Sequence, residues 1–306
     1  MQVFKTLHNI PDNAKGHIIA IGNFDGVHRG HQALLDQAKQ IAADTGKKFG
    51  VLTFEPHPRQ LFQPDQPPGR LTPSELKAQR LEAYGVELLF SLDFDWDFAS
   101  QTPEEFVQNV LTDGLKTSHV VIGYDFHFGQ MRKGNADTIK TAGLDVSVVH
   151  QINDDNEEAI SSSRIRQLLR SGAINEANAL LGWTWEVQGN VFRGDRRGHE
   201  LGYPTANVLL ENTLHPAYGI YACYVQIEGE NEWLRSATNI GIRPMFEVKV
   251  GQVEAHILDF PDRDIYDKKL RIKPVTRIRS EAKFNSIDDL VVQMEKDCAK
   301  AREILK

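Results

Sequence analysis

Two cysteines, Cys223 and Cys298, are all the thiol this 306-residue chain has. Two cannot build a disulfide framework or a cysteine-rich zinc site, and their scarcity suits a reducing compartment. No apolar run reaches membrane-spanning length, and the opening MQVFKTLHNIPDNAKG lacks the apolar core of a signal peptide. A cytoplasmic location without a membrane partner is therefore expected. Positive charge is short as well. The formal net charge is -7, and neither the part up to Gly182 nor the part after it is basic, which argues against a nucleic-acid footprint. Two phosphate-binding signatures, GxxxxGK[ST] and GxGxxG, are missing from the chain. Any nucleotide chemistry here must use another device.

With 41% hydrophobic and 25% charged residues the composition is that of an ordinary globular protein, and the length suits two domains. The most informative stretch is His17–His31, HIIAIGNFDGVHRGH. His17–Ile21 reads as a buried parallel strand. A glycine-bearing turn follows, and Leu34, Leu35, Ala38, Ile41 and Ala42 then recur at helical spacing. Strand, turn and helix N-terminus in this order make an anion site, because free N–H groups and the helix dipole point at the turn. His28 and His31 flank Gly30 there without a carboxylate triad or a thiol beside them. That set suits stabilising a phosphate better than nucleophilic attack, although two histidines on a turn also fit ordinary surface residues.

Further apolar runs at Phe49–Phe54, Val86–Leu92, His119–Ile122 and Val146–Ile152 alternate with helical patterns after Pro73 and Thr102-Pro103. This order predicts a doubly wound parallel sheet. Six of the 13 prolines fall between Pro56 and Pro73, marking a long loop at the carboxyl edge of a strand, where ligands bind in such sheets, although a stiff surface excursion fits the composition equally well. Asp125-Phe126-His127-Phe128 forms a second glycine-flanked loop, its aromatics open to either a planar substrate or plain packing. Ser161-Ser162-Ser163-Arg164-Ile165-Arg166 opens another helix, with two arginines in a first turn where the dipole disfavours cations. A nearby triphosphate would offset that placement; capping serines with two solvent arginines would also account for it.

After a helix at Ala173–Leu181 the helical periodicity stops. Glu186–Phe192, Gly219–Ile227, Leu234–Ile240, Val250–Leu258 and Leu270–Ile278 read as strands of an antiparallel barrel or sandwich, closed by a helix from Ile287. Between the first two lies a loop with Gly194, Gly198 and Gly202, then Pro204-Thr205-Ala206-Asn207. Such a loop can offer N–H groups to phosphates. Thr205 and Asn207, on one side if extended, offer two neutral oxygens for a hard cation such as Mg2+. Glu254 stands on a strand that otherwise alternates with apolar residues, either facing solvent or acting as a general base on a hydroxyl.

GNFDGVHRGH, TFEPHP, DFHFG and ISSSRIR, in this order, resemble the nucleotidyltransferase domain of bacterial bifunctional riboflavin kinase/FAD synthetases. PTAN, NIGxRP, VEAHILDF and IRSEAKF resemble that family's riboflavin kinase domain. The resemblance implies residues 1–182 as an FMN adenylyltransferase and 183–306 as a riboflavin kinase, with ATP, riboflavin, FMN, FAD and pyrophosphate as ligands, Mg2+ accompanying ATP, and no obligate protein partner. It assigns the α-phosphate to His28 and His31. Other ATP contacts of that domain fall on Gly22, Phe24, Asp25, Gly26, Gly30, Ser161, Ser162, Ser163, Arg164 and Arg166. Its flavin contacts fall on Asn23, Pro56, His57, Pro58, Asp125, Phe126 and Phe128. In the second domain it implies ATP at Gly194, Gly198, Gly202, Pro204, Thr205 and Asn207, the metal at Thr205 and Asn207, and Glu254 as the base on the riboflavin 5′-hydroxyl. The flavin falls to Asn239, Gly241, Arg243, Arg279 and Phe284. Departures from the family pattern stand at His127, Ser163, His199, Met245 and Asp267. Two other readings stay open at this point: an adenylyltransferase whose barrel binds flavin without phosphorylating it, and a flavin carrier without turnover.

Overall fold

The computed structural model describes the chain except residues 68, 195–197, 199–200, 246–247 and 262, and of 243–245 and 248–250 it describes the backbone alone. Most of the glycine-rich loop's charged residues, His199 among them, and the Arg243 and Met245 side chains lie outside what is described. The chain divides into two compact units, Met1–Pro67 with Thr72–Ser161, and Pro68–Leu71 with Ser162–Lys306.

The first unit is built on six parallel strands: β1 (Gln2–Phe4), β2 (Ile18–Ile21), β3 (Phe49–Glu55), β4 (Leu88–Asp93), β5 (His119–Gly123) and β6 (Asp145–Val149), in the order β1-β4-β3-β2-β5-β6. Pairing is parallel throughout. All four residues of β2 are buried and so are six of the seven of β3, as expected of strands covered on both faces. The sequence pattern misses β1, a three-residue edge strand with exposed Gln2 and Val3, too short to show a period. It also overextends β6, which ends at Val149 rather than Ile152; this outer strand is only partly buried, so its hydrophobic pattern is weak.

Helix α1 (Arg29–Thr45) follows β2 and buries Leu34, Leu35, Ala38 and Ala42 against it. It stops at Gly46, whose left-handed φ of 64° is the usual helix C-terminal exit. The proline-rich stretch after β3 is not all loop: α2 (Pro58–Phe62) sits within it, capped by His57. Helix α3 (Ser74–Ala83) precedes β4, and after β4 come α4 (Trp96–Ala99) and α5 (Pro103–Phe106). Thr102 caps α5 with a reciprocal Glu105 bond. Helix α6 (Ala136–Thr141) leads to β6.

In the second unit α7 (Ser162–Ser171) and α8 (Ile174–Leu181) precede the strands β7 (Val187–Asn190), β8 (Ala206–Leu209), β9 (Gly219–Ile227), β10 (Leu234–Met245), β11 (Val248–Ile257) and β12 (Lys269–Arg279). Their order is β7-β12-β9-β10-β11-β8 with antiparallel pairing. The ends nearly meet. Phe192 N–H donates to the Asn207 carbonyl at 2.9 Å, and a Cβ on Gly189 would fall 2.4 Å from Val208. A near-closed barrel results, with α9 (Ile287–Ile304) packed on it through Cys298, Ala301 and Leu305. Strand β8 is the one the sequence pattern hides, because its four residues run straight out of the PTAN turn.

Candidate active sites

The β2–α1 turn is held in a conformation that its residues would not choose alone. Phe24 and Val27 carry φ of 49° and 39°, left-handed values that are unfavourable for side chains with a Cβ, and for β-branched valine above all. Tertiary bonds impose them. Asp25, 1% exposed, accepts from the Thr72 N–H at 3.0 Å and from its hydroxyl at 3.3 Å, while Thr72 Oγ1 accepts from Gly26 N–H at 2.9 Å. The Asn23 carbonyl accepts from Thr53 Oγ1 at 3.2 Å and from Lys77 Nζ at 3.3 Å. Lys77 is itself buried and paired with Glu55 at 2.8 Å. Phe24 and Asp25 thus turn their side chains inward, so a nucleotide here would meet their backbone. Thr72 and Lys77 were invisible to motif reasoning because they act on the turn from distant elements.

This frame presents the histidines. His28 caps α1, its Nδ1 accepting from the His31 N–H at 3.4 Å, so its N–H donor is at Nε2. The two imidazoles stack with centroids 3.7 Å apart. A Cβ on Gly30 would approach the His28 ring to 3.1 Å and the Ile160 carbonyl to 3.3 Å, which is why glycine separates them. Donor nitrogens and a helix N-terminus together are suited to stabilising a phosphorane.

The expected flavin residues of this unit divide. Asn23 and Asp125 are exposed. His57 accepts from Arg59 N–H at 3.1 Å as the cap of α2, and Pro58 is that helix's first residue. Phe128 is buried, stacked on Phe126 and packed against Phe106, so in this loop the packing alternative holds for Phe128. Besides Tyr124 of this loop, 53% exposed, aromatic surface is open at Phe62 and Trp96, 55% and 63% exposed, which meet edge to face at the carboxyl ends of β3 and β4, backed by Phe94. Their pairing is a tertiary fact that no local motif carried.

Ser161 belongs to the first unit and Ser162–Arg166 to the second. Arg166 is 8% exposed and its Nε donates to the Gly69 carbonyl at 2.6 Å. Its first-turn position thus has a carbonyl partner.

In the barrel the predicted residues converge. A cavity of about 1050 Å3 is lined by Gly194, Gly198, Gly202, Pro204, Thr205, Asn207, Asn239, Glu254, Arg279 and Phe284. Strand register produces this: Asn207 on β8 pairs with Glu254 on β11, which pairs with Asn239 on β10. The three polar residues form one row across three strands. Glu254 accepts from Asn239 Nδ2 at 3.4 Å and from Gln252 Nε2 at 3.1 Å. Gln252 also donates to Asn207 Oδ1 at 2.7 Å, a bridge absent from the sequence reading. Gly241 is not on the cavity wall, and a Cβ there would collide with Glu281 Oε1 at 2.3 Å. The Arg279 fork is occupied by Asp297 of α9, with contacts of 2.6 to 3.0 Å, so it anchors the helix that closes this wall. Cys298 also borders the cavity, yet burial pushes its thiol up to about 11, and Cys223 to about 12, so neither supplies a thiolate at neutral pH.

Among the described residues no group of three His, Cys, Asp or Glu could hold a metal ion. What the cavity offers is oxygen: the Thr205 hydroxyl, the Asn207 amide and the Glu254 carboxylate. Such a set fits a hard cation carried in by phosphates rather than a resident metal. No described helix is long and apolar enough to cross a membrane.

Residues 10–164 match the family model described as FAD synthetase, and residues 181–305 match riboflavin kinase. Proteins named bifunctional riboflavin kinase/FMN adenylyltransferase are 38% identical in Bacillus subtilis, with 95% of this chain and 93% of that one covered, and 35% identical in Pseudomonas fluorescens, with 99% and 98% covered. A solved structure named macrolide-efflux protein, from Streptococcus pneumoniae, superposes with a TM-score of 0.87 at 32% identity and covers 98% of both chains.

Proposed function

The chain belongs to the bifunctional riboflavin kinase/FMN adenylyltransferase family, and on that premise we propose how its residues divide the two reactions. It phosphorylates riboflavin to FMN with one ATP and adenylylates FMN to FAD with a second, releasing pyrophosphate. The kinase step belongs to the barrel cavity. Glu254 takes the proton of the riboflavin 5′-hydroxyl as its oxygen attacks the γ-phosphorus, and ADP leaves. Thr205 Oγ1 and Asn207 Oδ1 would hold the Mg2+ that accompanies ATP, which supplies charge neutralisation at the phosphates. The observation that carries this reading is the Asn207–Glu254–Asn239 row, which sets the proposed metal ligand beside the proposed base inside one cavity.

The adenylyl step belongs to the β2–α1 turn. A phosphate oxygen of FMN attacks the α-phosphorus of ATP, and the bond to pyrophosphate breaks. His28 and His31 hold the charge that develops on the α-phosphate, with the turn's N–H groups beside them. Ser161–Ser163 and Arg164 contact the departing pyrophosphate. The flavin end is held by Asn23 and Asp125, and we add the exposed Phe62–Trp96 shelf as the surface on which an isoalloxazine ring stacks. The place of action is the cytoplasm, where both nucleotides are at hand.

Riboflavin, ATP and Mg2+ incubated with the protein should give FMN first and FAD after it. Glu254→Gln keeps the shape and removes the basic oxygen, so FMN formation should fall about 100-fold or more. Conversion of supplied FMN to FAD should persist. Equal loss of both steps would make Glu254 a structural carboxylate.

A further inference from the structure

Gln252 is 3% exposed and is not part of any motif that drew attention in the sequence. Its position two residues before Glu254 on β11 puts both side chains on the same face of the strand. One amide nitrogen serves two partners, Asn207 Oδ1 at 2.7 Å and Glu254 Oε1 at 3.1 Å. An NH2 group has two hydrogens, and this arrangement uses both. The other end of the amide goes without: Gln252 Oε1 is buried and has no hydrogen-bond partner among the described residues.

A buried amide with an unsatisfied oxygen is a poor stabiliser, since an apolar side chain of similar volume would fill the same space without that penalty. What the glutamine provides instead is geometry. Asn207 and Glu254 are neighbours in register, and without a bridge each has rotamers that turn it away from the other. We propose that Gln252 is a positioning residue for riboflavin phosphorylation, its amide fixing the spacing between Asn207, the ligand for the nucleotide's cation, and Glu254, the base for the flavin hydroxyl. This rests on the assignment of those two residues made above. Gln252 touches neither substrate. It acts by holding the nucleotide end and the flavin end of the site in one frame, so its loss lowers the frequency of aligned complexes without emptying the site.

The test uses full-length Gln252→Met, which keeps the volume and removes the donor, and Gln252→Leu as a second apolar replacement. Riboflavin phosphorylation should lose about 10- to 100-fold in kcat, the range seen when a supporting hydrogen bond behind a ligand is removed. The riboflavin KM should stay within about threefold, as expected when alignment rather than ground-state binding is lost. The thermal midpoint of the ligand-free protein should hold or rise, and FMN adenylylation should be unchanged. The increase in midpoint caused by saturating MgADP should shrink, because Asn207 is no longer fixed. A kcat within twofold of wild type in both variants overturns the proposal. So does a lowered midpoint with parallel loss of both activities, which would make Gln252 a packing residue. Glu254→Gln measured alongside separates the two levels: if it phosphorylates riboflavin normally, the underlying assignment has failed, whereas an inactive Glu254→Gln beside a fully active Gln252→Met sinks this inference alone.

Discussion

The two units solve the same problem, presenting groups to a nucleotide and a flavin, with opposite geometries. In the first, the central strands are covered on both faces, so their side chains are committed to the core and the proposed site lies in turns at the carboxyl edge. In the second, one face of the antiparallel sheet lines a cavity, and the proposed site residues stand mid-strand, brought together by register from β8, β10 and β11. A turn-borne site is contiguous in sequence and depends on tertiary clamps for its shape. A sheet-borne site is scattered in sequence and takes its shape from the ladder.

The largest effect that could break this contrast lies at the turn. His28→Ala and His31→Ala should each cost about 100- to 1,000-fold in FMN adenylylation, as the loss of a transition-state donor does, with riboflavin phosphorylation intact. They should differ in stability. His28 also caps α1, so its variant alone should lose about 1 kcal/mol in denaturant unfolding. Adenylylation at wild-type rate in both would remove the histidines from the chemistry.

A smaller change should follow in the barrel cavity. Thr205→Ala removes an oxygen and Asn207→Asp adds a charge, so each should slow phosphorylation by about 10- to 100-fold and shift the Mg2+ concentration for half-maximal rate. Unchanged Mg2+ titrations in both variants would put the cation elsewhere.

Truncation sharpens the comparison with the smallest effect. Helices α7 and α8 pack with the barrel: Ala217 N–H donates to the Leu169 carbonyl at 2.9 Å, and Trp185 N–H to Asn178 Oδ1 at 2.7 Å. A fragment of residues 183–306 should still fold and make FMN, but one starting at Ser162 should melt several degrees higher, since about 1 kcal/mol shifts a domain of this size by about 4 °C. Equal midpoints would mean that the two helices add nothing to the barrel.

How much of this was legible beforehand follows the same contrast. The strand, turn and helix that carry His28 and His31 could be read directly, because they are consecutive residues. The fold class could be read from periods alone. What could not be read was tertiary: Thr72 clamping Asp25 across 47 residues, Lys77 holding the Asn23 carbonyl, Trp96 meeting Phe62. In the barrel, Glu254 stood out as a carboxylate among apolar neighbours, but its partners depend on register. Neither Gln252 bridging to Asn207 nor Arg279 committing to Asp297 leaves a local trace. The strands β1 and β8 were hidden, β1 because it is three residues on a sheet edge and β8 because it runs straight out of the PTAN turn.

Mixing two damaged enzymes tests the central claim, that the two reactions run at separate sites, most directly. Full-length His28→Ala should convert riboflavin to FMN and stop. Full-length Glu254→Gln should leave riboflavin untouched yet turn supplied FMN into FAD. Combined in one tube with riboflavin, ATP and Mg2+, they should produce FAD, because the FMN made by one chain is the substrate of the other. A mixture that accumulates no FAD, or a single variant that loses both half-reactions while keeping its thermal transition, would contradict the account.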